Sequence, residues 1–209
     1  MRKIIILITA FLAVSCNTSE TKNEEVVENL TKEEKLKELY LKTVKPLFKE
    51  FTGVDIPNEF RIDKHDTSVN AGAAMNYVEV SQGLIDYDKD YIKAFVLAHE
   101  LGHIVTLKQA EQFNLGTEIP NGTKINAYKK AEYLADIIAV HLITTQEVEL
   151  GNDLKTNFEV LQNLLGPEIF THPGAVDRVA LMKEYVEKST KENAKTAFQE
   201  MFIKIWKME

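Results

Sequence analysis

One short stretch of the chain places two histidines and a glutamate inside an otherwise apolar helix. Residues 99–103 read His-Glu-Leu-Gly-His, and apolar runs at 94–98 and 104–105 flank them. Residues four apart lie above one another on one face of a helix, so His99 and His103 can direct both imidazoles at one point. Burying such polar side chains without partners is costly. The pattern therefore predicts a bound metal ion as their shared partner.

The order of these residues is the HExxH pattern, in which two histidines on one helical face bind zinc. Glu100 lies one position round the helix, where its carboxylate reaches a water molecule on the metal. The alternative is two satisfied core histidines beside a surface glutamate. A third histidine in the extended pattern HExxHxxGxxH is excluded, because the required positions hold Thr106 and Gln109. A third ligand must come from elsewhere in the chain.

A second apolar helix, at residues 131–140, offers that ligand. Its only two acids are Glu132 and Asp136, which share one face because they are four residues apart. Two like charges on a buried face repel each other, and a divalent cation would remove the repulsion. We expect Glu132 to be the third ligand, leaving the fourth zinc position for water. Asp136 would accept the second ring N–H of a ligand histidine, and Ala135 and Ala139 are small enough for close helix approach. The alternative is a solvent-exposed acidic pair.

A third segment, residues 171–178, contains the dipeptide His172-Pro173 and ends in Arg178. Pro173 suits the first turn of a helix and would place His172 at the N-cap in an extended conformation. That arrangement would aim an imidazole at whatever lies beyond the helix start. A purely structural turn is the alternative.

These three segments, in this order, resemble the M48 family of zinc metallopeptidases, the gluzincins related to HtpX and the CAAX prenyl protease. That family combines HExxH with a helix carrying ExxAD and a His-Pro segment that ends in an arginine. A fourth segment, residues 69–85, is similar to the family's strand pair, in which NAxA leads to a strand of the type IxVxxGLL. The resemblance spans about residues 60–186.

The resemblance implies a zinc-dependent metalloendopeptidase that hydrolyses peptide bonds. One Zn2+ per chain would be bound by His99, His103 and Glu132. Glu100 would act as general base and acid, and Asp136 would support a ligand histidine. The substrates implied are misfolded or misassembled cell-envelope proteins.

The resemblance also implies that His172 and Arg178 stabilise the oxyanion or order the site. The chain departs from the family pattern in three places. Leu134 replaces a second acid of the ExxAD segment, Met75-Asn76 replaces a glycine-rich turn, and the connection between the two metal-binding helices is short. These departures bear on substrate preference and regulation more than on the zinc site.

The N-terminus has the pattern of a bacterial lipoprotein signal. Two basic residues precede an apolar run at 4–14, which is too short to span a bilayer as a helix, and Cys16 follows. We expect residues 1–15 to be removed, Cys16 to be lipidated, and residues 16–29 to form a flexible acidic tether. Cys16 is the only cysteine, which suits an oxidising envelope and excludes an intrachain disulfide. A free cysteine in a cytosolic protein is the alternative.

The charge of the chain bears on its partners. The formal net charge is −7, and loss of the two basic leader residues would make it −9. An acidic surface argues against nucleic acid and against electrostatic binding to anionic membranes, so acyl chains at Cys16 would provide the attachment. Asn17 lacks the commonest inner-membrane retention cue, which favours the outer membrane, on its periplasmic or surface face.

Residues 30–209 predict one metallopeptidase domain of α+β class: mostly helical, zincin-like, with a small antiparallel sheet next to the HExxH helix. Thr31 and Glu34 form a capping box that opens an amphipathic helix, kinked by Pro46 and ended by Gly53. Alternating apolar residues predict two strands, the second as the sheet edge beside the metal, where an extended peptide could pair. The strands are expected at 60–64 and 75–80.

Apolar spacing predicts the remaining helices, and a loop at 108–125 close to the site could act as a lid. The helices are expected at 90–107, 126–146, 153–165, 174–187 and 190–207. The apolar stripe of the last helix, from Phe198 to Trp206, predicts core packing or a dimer contact, and the oligomeric state stays open.

Two other functions compete with peptide hydrolysis. The chain could be an envelope lipoprotein that binds unfolded clients as a chaperone or adaptor, with little or no proteolysis, although holding a client needs no general base at Glu100. It could also hold a structural zinc ion, although such sites usually have four protein ligands and more cysteine.

Overall fold

The computed structural model describes residues 30–209, so the predicted leader, Cys16 and the tether to residue 29 lie outside the described residues. Within that part, the chain forms eight α-helices and three strands. The helices are α1 Lys32–Glu38, α2 Gln82–Asp86, α3 Asp90–Gln112, α4 Ala127–Gln146, α5 Val148–Thr156, α6 Phe158–Leu164, α7 Ala175–Lys191 and α8 Ala194–Trp206; the strands are β1 Glu59–Asp63, β2 Ala71–Ala73 and β3 Tyr77–Ser81.

The first helix begins at the predicted capping box. Thr31 Oγ1 accepts from the Glu34 amide at 3.2 Å, and the Glu34 carboxylate accepts from the Thr31 amide at 2.8 Å. These two bonds satisfy donors that a helix start leaves without partners. The capping-box prediction is confirmed.

The predicted kink at Pro46 is a longer irregular stretch. A π-helical turn at Leu39–Val44 follows α1, and a 3-10 turn at Lys45–Phe48 contains Pro46. Proline lacks an N–H, and its ring crowds the carbonyl four residues earlier, which lies in the π-helical turn. The helical path ends at Phe48 rather than at Gly53, which lies in the next turn with φ 84°.

The sheet is mixed, so the prediction of an antiparallel sheet was wrong. The strand order is β1-β3-β2, with β2 antiparallel to β3 and β1 parallel to it. A tight turn from Ala74 to Tyr77 joins β2 to β3, so β2 takes one side of β3 and leaves only the other side for β1. The edge nearest α3 is therefore β2, and β3 is the central strand rather than the edge. Alternation identifies a strand but not its partners, and a strand of three residues shows none.

Several helix boundaries differ from those predicted. Helix α3 continues to Gln112, so the connection to α4 is shorter than the predicted loop at 108–125. The predicted helix at 153–165 is two helices, because Asn157 interrupts them with φ −121° and ψ 33°. Helix α7 begins at Ala175 with Gly174 as its N-cap. Pro173 therefore precedes the helix, and the placement of His172 at the N-cap was wrong.

Close packing of α3 on α4 sets the geometry of the site. A Cβ atom added at Gly102 would lie 3.0 Å from both the Cα and the carbonyl oxygen of Ala135. This contact brings the helix that carries His99 and His103 against the helix that carries Glu132. Ala135 allows close approach as predicted, and Gly102 supplies the other half of the contact.

One hydrophobic core runs from Leu36 to Trp206, with α3 and α4 at its centre. The apolar stripe of α8 is buried within this core, which favours core packing over the dimer contact left open above. Across residues 30–209, no helix combines the length and apolarity needed to cross a bilayer.

Candidate metal centre

Five of the predicted site residues lie on two packed helices. Helix α3 carries His99, Glu100 and His103, and α4 carries Glu132 and Asp136. The Nε2 atoms of the two histidines are 3.1 Å apart. The carboxylate of Glu132 faces both rings, with Oε2 3.4 Å from His99 Nε2 and Oε1 3.3 Å from His103 Nε2. The fold thus brings the three predicted ligands together.

The spacing of these donor atoms fits a tetrahedral metal site. With metal–ligand bonds of about 2.0 Å, neighbouring ligand atoms of a tetrahedron lie about 3.3 Å apart. The two histidine Nε2 atoms are 3.1 Å apart, and each lies at a similar distance from one carboxylate oxygen of Glu132: 3.3 Å from His103 to Oε1 and 3.4 Å from His99 to Oε2. Two imidazoles and one carboxylate are also the donor set of many catalytic zinc sites, which keep a fourth position for water. The residues present therefore fit a zinc ion.

Asp136 orients the ring of His99 by a hydrogen bond to the nitrogen that does not face Glu132. Its Oδ1 lies 2.9 Å from His99 Nδ1, so this nitrogen donates to the carboxylate and Nε2 is left facing Glu132. Burial lowers the pKa of His99, but the hydrogen bond to Asp136 and the charge of that carboxylate outweigh burial and raise it to about 9. This is the hydrogen bond expected of a partner that fixes the tautomer of a metal ligand.

Arg178 balances the negative charge beneath the ligands. Its guanidinium is buried and donates to both oxygens of Asp136 at 2.7 Å. The remaining nitrogen, Nη1, lies 3.3 Å from Glu132 Oε2. Burial raises the pKa of Asp136, but the charge and hydrogen bonds of Arg178 outweigh it and hold that pKa below its usual range. The guanidinium of Arg178 is therefore paired with the carboxylates of Asp136 and Glu132.

Glu100 lies beside the two imidazoles in a partly buried position. Burial raises its pKa, and the charges of His99 and His103, with a hydrogen bond from the backbone of Ala73, only partly oppose this. Its net pKa is therefore above the usual range. A carboxylate of raised pKa is better suited to taking up a proton and releasing it again near neutral pH.

His172 approaches the same site from the segment between α6 and α7. Its Nε2 lies 3.6 Å from Glu132 Oε1, and its Nδ1 lies 2.8 Å from Thr171 Oγ1. The ring is about half exposed, so it borders the open side of the site. His172 reaches the site without being an N-cap, because the turn before Gly174 carries it there.

The amino-acid pattern alone did not identify two features of the site. One is the hydrogen bond from the Ala73 backbone to Glu100, which places the edge strand β2 against the site. The other is an exposed aromatic pair beside it, Tyr128 and Phe170, with ring centroids 6.1 Å apart. The close helix contact at Gly102 could have been recognised, because a glycine inside a helix usually signals close packing. An isolated exposed aromatic residue gives no comparable signal in the sequence.

Part of the chain matches a known protein family. Residues 31–118 match the family model described as Peptidase family M48. No curated protein and no solved structure matched the chain. The matched stretch includes α1, the sheet and the whole of α3, whereas Glu132, Asp136 and Arg178 follow it, so their place at the site rests on the geometry. The N-terminal part of the described chain, through the HExxH helix, is thus similar to M48 peptidases.

Proposed function

We propose that the chain is a zinc-dependent metalloendopeptidase of the M48, gluzincin type, with a zincin-like catalytic domain. The observation that carries the proposal is the convergence of His99, His103 and Glu132 close enough to hold one metal ion, with Glu100 beside them. A zinc ion held there would supply a Lewis acid that acidifies a water molecule and polarises a carbonyl group.

Glu100 takes the proton from the attacking water and returns it to the leaving amine. Its position beside both imidazoles supports this role, and its raised pKa favours uptake of the proton from water. A site that only holds a metal or a client has no need of this carboxylate.

The other two residues have different roles. His172, half exposed on the open side, faces the position where an oxyanion develops and stabilises it. Arg178 is buried beneath the ligands, where it orders Glu132 and Asp136. Of the two roles open for Arg178 from the resemblance, the contacts favour ordering.

The edge strand β2 provides a place for an extended peptide. It pairs with β3 on one side only, and its Ala73 backbone lies against Glu100. An extended peptide adds to such an edge through backbone hydrogen bonds, which gives affinity without sequence selectivity. This arrangement suits unfolded polypeptides, and misfolded or misassembled cell-envelope proteins are the proposed substrates.

Attachment to the cell envelope through a lipid on Cys16 is part of the same proposal. It rests on the leader pattern and on the acidic charge of the chain. Replacing Cys16 by serine should move the protein from the membrane fraction to the soluble fraction. A variant that stays with the membrane would argue against lipid anchoring.

A chaperone or adaptor function is the second candidate. The observation in its favour is the exposure of large apolar side chains around the site, including Met75, Tyr128 and Phe170. A chaperone would suppress the aggregation of an unfolded client equally well in the wild type and in the Glu100→Gln variant. A peptidase would lose its effect on the client with that change.

Zinc stoichiometry tests the metal site directly. The purified protein should bind one zinc ion per chain, and Glu132→Gln should lower zinc affinity by at least about tenfold, because the amide is a weaker ligand. The exposed Glu149 on α5 is the matched control, and Glu149→Gln should bind zinc like the wild type. Unchanged zinc affinity in Glu132→Gln would contradict the ligand assignment.

A further inference from the structure

A cavity of about 370 Å³ opens directly beside the metal centre. It lies between α3, α4 and the connection at 113–126 that joins them, and His103 forms part of its wall. Most of the remaining lining is apolar: Leu107, Ile119, Ala127, Tyr128 and Ala131. The cavity is large enough for one bulky side chain of a bound peptide.

The mouth of this cavity is kept apolar at the surface. Leu107 is 45% exposed and Tyr128 is 61% exposed. The Tyr128 ring packs on Phe170 instead of folding into the core, and the Phe170 carbonyl accepts from Asn126 Nδ2 at 2.9 Å. Exposed apolar side chains grouped beside a site mark a binding surface.

The polar groups in the wall do not call for a polar ligand. Thr106 Oγ1 already donates to the Gly102 carbonyl at 2.8 Å, so the buried hydroxyl is satisfied. The loop side adds the exposed Thr117 and one acidic group, Glu118. The charge of Glu118 would repel an acidic side chain, whereas an apolar side chain would meet a matching surface.

Two small residues set the depth of the cavity. Ala127 and Ala131 are four apart on α4 and therefore share the face that forms its floor. A larger side chain at either position would occupy the space. The depth is thus controlled by side chains that play no part in holding the metal.

We propose that this cavity selects a bulky apolar residue, aliphatic or aromatic, next to the scissile bond, and that Ala127 is a specificity-determining residue. The inference rests on the proposed peptidase function. Among unfolded polypeptides, the substrates would then be chains with exposed apolar residues, which a folded protein buries.

The test compares peptides that differ only at the residues flanking the cleaved bond. The wild type should cleave peptides with Phe or Leu at one flanking position at least about tenfold faster, in kcat/KM, than peptides with Ala or Asp. Ala127→Phe should fill the cavity and remove this preference by lowering kcat/KM for the bulky residues. Ala180→Phe, at an exposed position on α7, should keep it.

A second variant protects the test against misfolding of Ala127→Phe. Leu107→Ala removes a half-exposed side chain from the wall and should shift the preference towards tyrosine and tryptophan. Equal cleavage of Phe and Ala peptides by the wild type would overturn the proposal. So would an unchanged preference in both Ala127→Phe and Leu107→Ala.

Peptide binding to the Glu100→Gln variant, which should be catalytically inactive, separates this proposal from the peptidase proposal. Fluorescence anisotropy should show tighter binding of Phe than of Ala peptides, and Ala127→Phe in the same background should abolish the difference. Preferential binding without any cleavage by the wild type would contradict the peptidase function and leave the cavity assignment standing. Cleavage without preferential binding would do the reverse.

Discussion

At the scale of single residues, the guanidinium of Arg178 links the charged side chains of the site through hydrogen bonds and ion pairs. Arg178 donates to both oxygens of Asp136, Asp136 accepts from His99, and Arg178 also contacts Glu132. An unpaired buried carboxylate is costly, whereas a bidentate arginine satisfies it in one fixed geometry. Arg178 would therefore influence a metal ion at this site only through Asp136 and Glu132.

We therefore expect Arg178→Lys to weaken zinc binding. Lysine keeps the positive charge but lacks the planar fork, so it cannot serve Asp136 and Glu132 together. Loss of such a supporting partner typically costs about 10–100-fold in metal affinity. Zinc competition with a chelator measures the effect, and the exposed Arg61, changed to lysine in the same way, is the control. If Arg178 instead served the oxyanion, kcat would fall while zinc affinity stayed at the wild-type level.

At the scale of elements, the contact between α3 and α4 determines whether the ligands meet. The two histidines come from one helix and Glu132 from the other, so a change in helix separation moves one ligand away from the other two. The closest approach is at Gly102, where a side chain would meet Ala135 backbone at 3.0 Å.

We therefore expect Gly102→Val to lower both thermal stability and zinc affinity. The valine side chain must push α3 away from α4, since the atoms it meets belong to backbone and cannot rotate aside. Gly72→Val is the control, because nothing lies within 4 Å of a Cβ there. Calorimetry and zinc titration measure the two effects. A Gly102→Val protein with wild-type melting temperature and zinc affinity would show that the helix contact does not position the ligands.

The sequence predicted the chemistry of the site better than the arrangement of the elements around it. Helical spacing, which is a local rule, pairs His99 with His103 and Glu132 with Asp136, and the structure brings the two histidines and Glu132 together. The direction of β1 does not follow from local rules, because β1 pairs with β3, which is not the next strand along the chain. The cavity beside His103 likewise depends on a connection whose path no periodicity describes.

At the scale of the whole molecule, a buried histidine that takes no part in the metal centre should make stability depend on pH. His141 on α4 stacks on Phe198 of α8 with ring centroids 4.2 Å apart, and its Nδ1 lies 2.8 Å from Tyr185 Oη. Burial lowers the pKa of His141 to about 4. The folded protein therefore keeps this imidazole neutral below the pH at which the unfolded chain protonates it.

The free energy of unfolding should fall as the pH drops from about 6.5 to about 4. In this window the unfolded state binds a proton at His141 and the folded state does not, so acid favours unfolding by up to ~3 kcal/mol. His141→Phe should remove this part of the pH dependence. Its effect on the free energy of unfolding should differ between pH 7, where the imidazole is neutral in both the folded and the unfolded state, and pH 4. Denaturant unfolding across the window measures it, with His65→Phe at an exposed position as the control. Equal slopes for wild type and His141→Phe would contradict the assignment.

The central claim is that Glu100 and a bound zinc ion hydrolyse peptide bonds. The most direct measurement is the cleavage of unfolded casein by the zinc-loaded protein, by Glu100→Gln and by a chelator-treated sample. Glu111→Gln, on the exposed end of the same helix, is the matched control. We predict cleavage by the wild type and Glu111→Gln, and none by Glu100→Gln, which should still bind one zinc ion per chain. Cleavage by Glu100→Gln at the wild-type rate would contradict the account.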